Sequence, residues 1–247
     1  MNKIGIIGAM EEEVALLLEK IELEEKVDKA GLEFYVGKLR GKDVIVVKCG
    51  VGKVNSAMCT QILISEFGAE ALVNIGVAGA LNDELDVNDI VISTDAIEYD
   101  MDASAFGDPK GTIPRMDCSE FKADERLINA AFDAAVKENK GHNVMKGRIA
   151  TGDLFVADME TKNELVNDFG GFCCEMEGAA MAHVCYLNKT PYVIIRAMSD
   201  KADGSADVTF EEFSKKAAIT SANIVMDMLE TISVSYTHLT LPTILRV

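Results

Sequence analysis

The sequence predicts a single three-layer α/β/α domain built on a central twisted mixed sheet. Three observations carry that expectation. Short apolar, strand-like runs alternate with helical periodicity over the whole chain. Small or polar residues recur where the runs end, at Gly8-Ala9, Gly50-Val51, Gly76-Val77, Thr151-Gly152, Glu175-Met176-Glu177 and Ser199-Asp200. No linker, repeat or low-complexity stretch divides the 247 residues, a length that one large α/β domain accommodates.

In chain order, Ile4–Gly8 reads as a buried strand and Met10–Glu19 as a helix whose first turn holds Glu11, Glu12 and Glu13, where the dipole favours acids. Leu32–Leu39 and Val44–Cys49 read as a hairpin across Arg40-Gly41-Lys42-Asp43, followed by a helix over Val54–Phe67. Ala71–Gly76 is a strand, and Gly76-Val77-Ala78-Gly79-Ala80 is expected to turn at its end, bare enough for a ligand to approach backbone. Asp89–Ile97 is a further strand. Tyr99–Cys118 has no period and is read as a long ordered loop, which in a compact domain is more often functional than idle. Asp124–Glu138 is an amphipathic helix, Val144–Thr151 a strand and Thr161–Asp168 a short helix.

Phe172–Ala182, FCCEMEGAAMA, then ends an apolar run in two glutamates and opens a helix of small residues. If the chain stays extended there, Glu175 and Glu177 point to one side. Tyr192–Met198 is the last strand, with Ser199-Asp200 at its carboxyl end, and Phe210–Ile232 is a closing helix. In open α/β sheets the carboxyl edge of the strands is where ligands bind.

Composition narrows the function classes. A net charge of −17 argues against a nucleic-acid surface, which needs a basic stripe. Six cysteines without any C-x-x-C fit reduced, buried thiols in a cytoplasmic protein better than a disulfide frame. The three histidines, His142, His183 and His238, form no metal-ligand spacing. GIIGAM lacks the glycines of a dinucleotide fingerprint, and GVGK lacks the spacing and the Ser/Thr of a P-loop. No cofactor, metal or membrane span is therefore expected, and the acidic N-terminal stretch does not read as a signal peptide. Ser235–Val247, SYTHLTLPTILRV, has no acidic residue and is read as a foreign tail, leaving a domain over residues 1–234.

IGAMEEE, GVGKVNSA, NIGVAGAL, TGDLFV, CCEMEGAA and RAMSDKAD, in that order, resemble the 5′-methylthioadenosine/S-adenosylhomocysteine nucleosidases of the nucleoside phosphorylase superfamily. The resemblance runs from about Lys3 to Ile232. It implies a nucleoside phosphorylase/hydrolase-like fold and hydrolysis of an N-glycosidic bond, releasing adenine and a thio-substituted ribose. Departure of adenine leaves an oxocarbenium-like sugar. One acid must then protonate N7, a second carboxylate activate water, and a third hold the ribose hydroxyls.

The resemblance makes Asp200 the acid, with Ser199 beside it, Glu13 the base, and Glu177 the ribose clamp with Met176 along the sugar. It places Phe155 on adenine, Val156 at its edge, Val51 and Phe210 on the pocket wall, and Ala9 and Met10 near the sugar. Val77 stands where many members carry serine, and Glu175 is expected to orient neighbours rather than touch substrate. The family's homodimer implies that Phe106 and Pro114 complete the 5′-alkylthio site of a neighbouring subunit. Without the resemblance, Glu13 reads as one more dipole-favoured acid, Asp200 as a cap, and Phe155, Phe210 and Phe106 as core. Arg196 reads as an ion-pair partner of a site acid, and His183 as a packed histidine. Phosphorolytic relatives hold phosphate with arginines; Met10, Glu11–Glu13, Asn74 and Val77 stand there instead, which suits water as the nucleophile. The rival readings are an aminodeoxyfutalosine nucleosidase of menaquinone synthesis, and a nucleoside-binding protein without catalysis.

Overall fold

Ten strands form one mixed sheet in the computed structural model, which describes residues 3–232 apart from the side chains of Val208 and Glu211. The expected foreign tail lies outside the described residues. In chain order the elements begin β1 (Lys3–Gly8), α1 (Glu11–Lys20), β2 (Glu22–Lys29), β3 (Leu32–Leu39), β4 (Lys42–Lys48) and α2 (Lys53–Ser65). They continue with β5 (Ala71–Ala80), β6 (Ile90–Glu98), β7 (Glu120–Lys122), α3 (Glu125–Glu138), β8 (Val144–Thr151) and α4 (Met159–Phe169). The chain closes with β9 (Gly171–Glu175), α5 (Gly178–Asn188), β10 (Tyr192–Asp200) and α6 (Ala206–Thr231).

The sheet runs β10-β6-β8-β9-β5-β1-β4-β3-β2, and β10 also pairs with β5. Strands β5, β10, β6, β8 and β9 therefore close into a ring, from which β1, β4, β3 and β2 extend; the sheet is mixed as expected but not fully open. Every residue of β5 and of β10 is buried, as strands covered on both faces require. Helix α6 lies along β10 and β5 with α1 and α3 beside it, while α2 pairs with α5, which packs over β6 and β8.

Three differences from the sequence reading have physical causes. Gly76–Ala80 is strand and not turn: its small residues let β5 pair with β10 on one side and with β9 through Gly79 and Ala80 on the other. Glu22–Lys29, too charged to read as a strand, forms an exposed edge strand on β3, where charge discourages pairing with further strands. The chain is no longer extended at Glu177, whose φ of −132° and ψ of −37° precede α5. The long connection from Tyr99 to Cys118 holds only a short helical turn at Ser104–Phe106, as an ordered loop should.

Helix ends follow familiar chemistry. Asp124 caps α3 by accepting from the Arg126 and Leu127 N–H groups, and Asp158 caps α4 through Thr161. Gly170 ends α4 in the left-handed conformation at φ 64°.

Candidate active site

The carboxyl ends of β1, β5, β9 and β10 converge on a cavity of about 250 Å³. Thirteen of the fifteen expected site residues line it; Phe106 and Pro114 do not. Phe106 is 90% exposed, which also rules it out as core of this chain. Most of the wall is apolar, and three buried carboxylates that make no ion pair among the described residues face into it: Glu13, Glu177 and Asp200.

Glu13 enters from the first turn of α1. Its Oε2 accepts the Ala9 and Met10 N–H groups at 2.6 and 3.0 Å, and Oε1 accepts that of Val77 at 3.2 Å. It thus serves its helix and still reaches the cavity, an arrangement that only a bare backbone opposite allows. A Cβ on Gly76 would stand 2.5 Å from Oε1. Burial raises the Glu13 pKa, while Arg196 and the three N–H donors pull the other way.

Asp200 is aimed by a break in the ladder. Between Met198 and Asp200 the pairing with β5 shifts by one residue, leaving Ser199 as the extra residue of a bulge. The Ser199 hydroxyl donates to Oδ2 at 2.8 Å, and the Ala202 N–H to Oδ1 at 2.8 Å. A Cβ on Gly79 would lie 2.8 Å from Oδ1, so glycine makes room here too. Burial raises the Asp200 pKa above its ordinary value, partly offset by those two donors.

Glu177 accepts the Gly52 N–H at 2.7 Å, and its carbonyl accepts from the Ser56 hydroxyl at 3.0 Å. Gly52, at φ 99°, ends the loop before α2 in a conformation that favours glycine. Burial, with the nearby Glu175 charge, pushes the Glu177 pKa up to about 8.

Glu175 is occupied within the protein. Its Oε2 pairs with Arg196 and accepts the Gly178 N–H at 2.7 Å, and its Oε1 accepts the Thr151 hydroxyl. Arg196 is almost fully buried and reaches Asn74 as well. Burial opposes its charge, but Glu175, Glu177 and Glu13 outweigh that and raise its pKa. His183 stacks on Phe121 at 4.8 Å and faces Glu98 at 3.0 Å, away from the cavity.

Phe155 and Phe210 meet edge to face at 5.8 Å, bringing the start of α6 against the loop after β8. Ala78 and Gly79, from the small-residue segment expected to let a ligand approach backbone, also line the wall, whereas sequence reasoning missed Leu154 and Cys174. Only Leu154 left a signal, an apolar residue beside Phe155 in a turn. Burial raises the Cys174 thiol far above its ordinary range, so it supplies no thiolate nucleophile. Among the described residues no group of His, Cys, Asp and Glu could hold a metal ion.

A small apolar cleft with buried acids from separate strand ends suits acid–base cleavage of an uncharged ligand. The family model of the phosphorylase superfamily matches residues 3–230. The chain is 42% identical over 252 residues to the 5′-methylthioadenosine/S-adenosylhomocysteine nucleosidase of Treponema pallidum, covering 93% of each. The Neisseria meningitidis nucleosidase crystallised with methylthio-immucillin-A superposes with a TM-score of 0.89 at 39% identity, over 94% of this chain and all of that one. The futalosine hydrolase of Helicobacter pylori superposes with a TM-score of 0.87 at 36% identity, over 93% of this chain and 97% of that one. By sequence and fold together, the chain belongs to the 5′-methylthioadenosine/S-adenosylhomocysteine nucleosidases of the phosphorylase superfamily.

Proposed function

We propose that the protein hydrolyses the N-glycosidic bond of 5′-methylthioadenosine and S-adenosylhomocysteine. The observation that carries this reading is the meeting of Glu13, Glu177 and Asp200 in one otherwise apolar cavity. The protonated Asp200 carboxyl donates to adenine N7 as the C1′–N9 bond breaks, its electron pair passing to the purine. Glu13 takes a proton from the water whose oxygen attacks C1′. Glu177 accepts the 2′- and 3′-hydroxyls and strengthens that hold as the sugar turns cationic. The products are adenine and 5-methylthioribose or S-ribosylhomocysteine, which would serve methionine salvage and the activated-methyl cycle in the cytoplasm.

The raised pKa values suit both roles. Burial keeps Asp200 protonated closer to neutral pH and makes Glu13 a stronger base than a solvated glutamate. Activity therefore falls at low pH as Glu13 and Glu177 take protons, and at high pH as Asp200 loses one. Cys174, a neutral thiol, and the apolar wall offer no second route.

Phe155 stacks on the purine, with Val156 at its edge. Ala9, Met10, Val51, Val77, Met176 and Phe210 enclose the sugar and its 5′-substituent. In a homodimer, Phe106 and Pro114 of each subunit close the partner's site; both are exposed and outside their own cavity. The domain spans residues 1–234, with residues 235–247 dispensable.

The likeness to futalosine hydrolase keeps one second reading, cleavage of aminodeoxyfutalosine by the same acids. A phosphate-free panel scoring adenine release from all three nucleosides separates the two. Turnover of methylthioadenosine supports the first; release from aminodeoxyfutalosine alone overturns it.

A further inference from the structure

Lys162 lies one turn into α4 and is only 7% exposed. A buried ammonium ordinarily faces a carboxylate, and a helix dipole disfavours a cation near its N-terminus. Among the described residues no carboxylate oxygen lies within ion-pair distance of its Nζ; the nitrogen donates instead to the main-chain carbonyl of Lys201, at 2.9 Å. So costly a placement needs a reason, and the segment it grips supplies one.

That segment begins at the acid. Ser199 forms the bulge that turns Asp200 toward the cavity. Two residues on, the fully buried Ala202 adopts φ 50°, a left-handed conformation rare outside glycine, and from there its N–H reaches Asp200 Oδ1. Asp203 then accepts from the N–H and hydroxyl of Ser205, the residue at the start of α6. Lys201, between the acid and the strained alanine, turns its own side chain outward to Asp86, leaving its carbonyl to Lys162. Helix α4, in turn, follows directly on Leu154, Phe155 and Val156, which form another wall of the cavity. One hydrogen bond thus ties the wall loop to the strained turn that orients the acid.

We propose that Lys162 is a positioning residue for Asp200, stapling the Lys201–Ala202 turn so that the carboxyl is held at a fixed place relative to the Phe155–Val156 wall. The inference rests on Asp200 acting as general acid, as argued under Proposed function. The charged and titratable groups facing Asp200 are Lys162 from α4, Asp203 from the following turn, and the neutral buried thiols of Cys173 and Cys174 from β9. The ammonium favours ionised Asp200, so removing it raises the pKa of the acid and moves the high-pH limb of activity upward.

The test is Lys162→Met, which keeps the length and apolar stem of the side chain. With methylthioadenosine, kcat is expected to fall about ten- to a hundredfold, as for a misplaced catalytic group. KM should stay within about twofold, and the high-pH limb of kcat should move up. The melting temperature should hold or rise, because a buried charge has been removed. In an Asp200→Asn background the same substitution should cost no more than about twofold, since coupled residues are not additive. An unchanged kcat, a loss confined to KM, or an undiminished loss in the Asp200→Asn background would each overturn the proposal. The wild-type enzyme is the control: if it releases no adenine, the functional reading fails, whereas normal release with an unaffected variant fails the staple alone.

Discussion

At the scale of single residues, the cavity holds its acids in different states of compensation. Glu175 is fully answered by Arg196, Thr151 and the backbone of α5, whereas Glu177 has one backbone donor and a buried like charge beside it. An incompletely answered carboxylate is ready to accept sugar hydroxyls, and it weakens the fold for the same reason. The folded pKa of Glu177, about 8, lies above its ordinary 4.5, so the fold disfavours the ionised form. Stability then falls as pH rises between those two values and is level above them. Glu177→Gln is therefore expected to raise stability, by about 2 kcal/mol at pH 8 and far less near pH 4. Thermal melts across pH check this; a gain independent of pH would contradict it. Activity of the same variant should drop through weaker hold on the cationic sugar.

At the scale of elements, the carboxyl ends of the strands are shaped to make room for acids. Gly76 and Gly79 lie on one strand, and each leaves the space that a carboxylate oxygen occupies. Gly79→Ala places a methyl 2.8 Å from Asp200 Oδ1 and 3.0 Å from the Ala202 Cβ. It is expected to destabilise by about 1–3 kcal/mol and to lower kcat more than it raises KM. Denaturation and steady-state kinetics read the two effects; an active, fully stable variant would show that β5 yields more than its packing suggests.

This strand also shows how far the sequence could be read. Its apolar start, Ala71–Gly76, was plain, but its glycines looked like a turn because the strands they serve are distant in sequence. Glu22–Lys29 was invisible as a strand because edge pairing uses backbone and leaves no apolar pattern. The three acids were visible as residues, yet nothing local told Glu13 from its neighbours Glu11 and Glu12. Motifs in register singled it out, and the structure shows what distinguishes it: Glu13 is buried, while Glu11 is exposed. The role of Lys162 left no trace in sequence, since its partner is a main-chain carbonyl.

At the scale of the whole molecule, the cavity sits where the closed ring of strands meets its extension. Along its rim Val51, Leu154 and Phe155 are half exposed, and Phe106 is exposed on the long loop. In the homodimer proposed above, Phe106→Ala is expected to raise KM for methylthioadenosine several-fold with little change in kcat, as loss of uniform binding does. An unchanged KM would remove Phe106 from the site. The hydrolysis proposed above depends on Asp200. Its most direct test is adenine release from methylthioadenosine in phosphate-free buffer, measured for the wild-type enzyme and for Asp200→Asn. The wild-type enzyme should release adenine without phosphate, and the variant should lose about a hundredfold or more in kcat. Release that requires phosphate, or a variant as fast as the wild type, would contradict it.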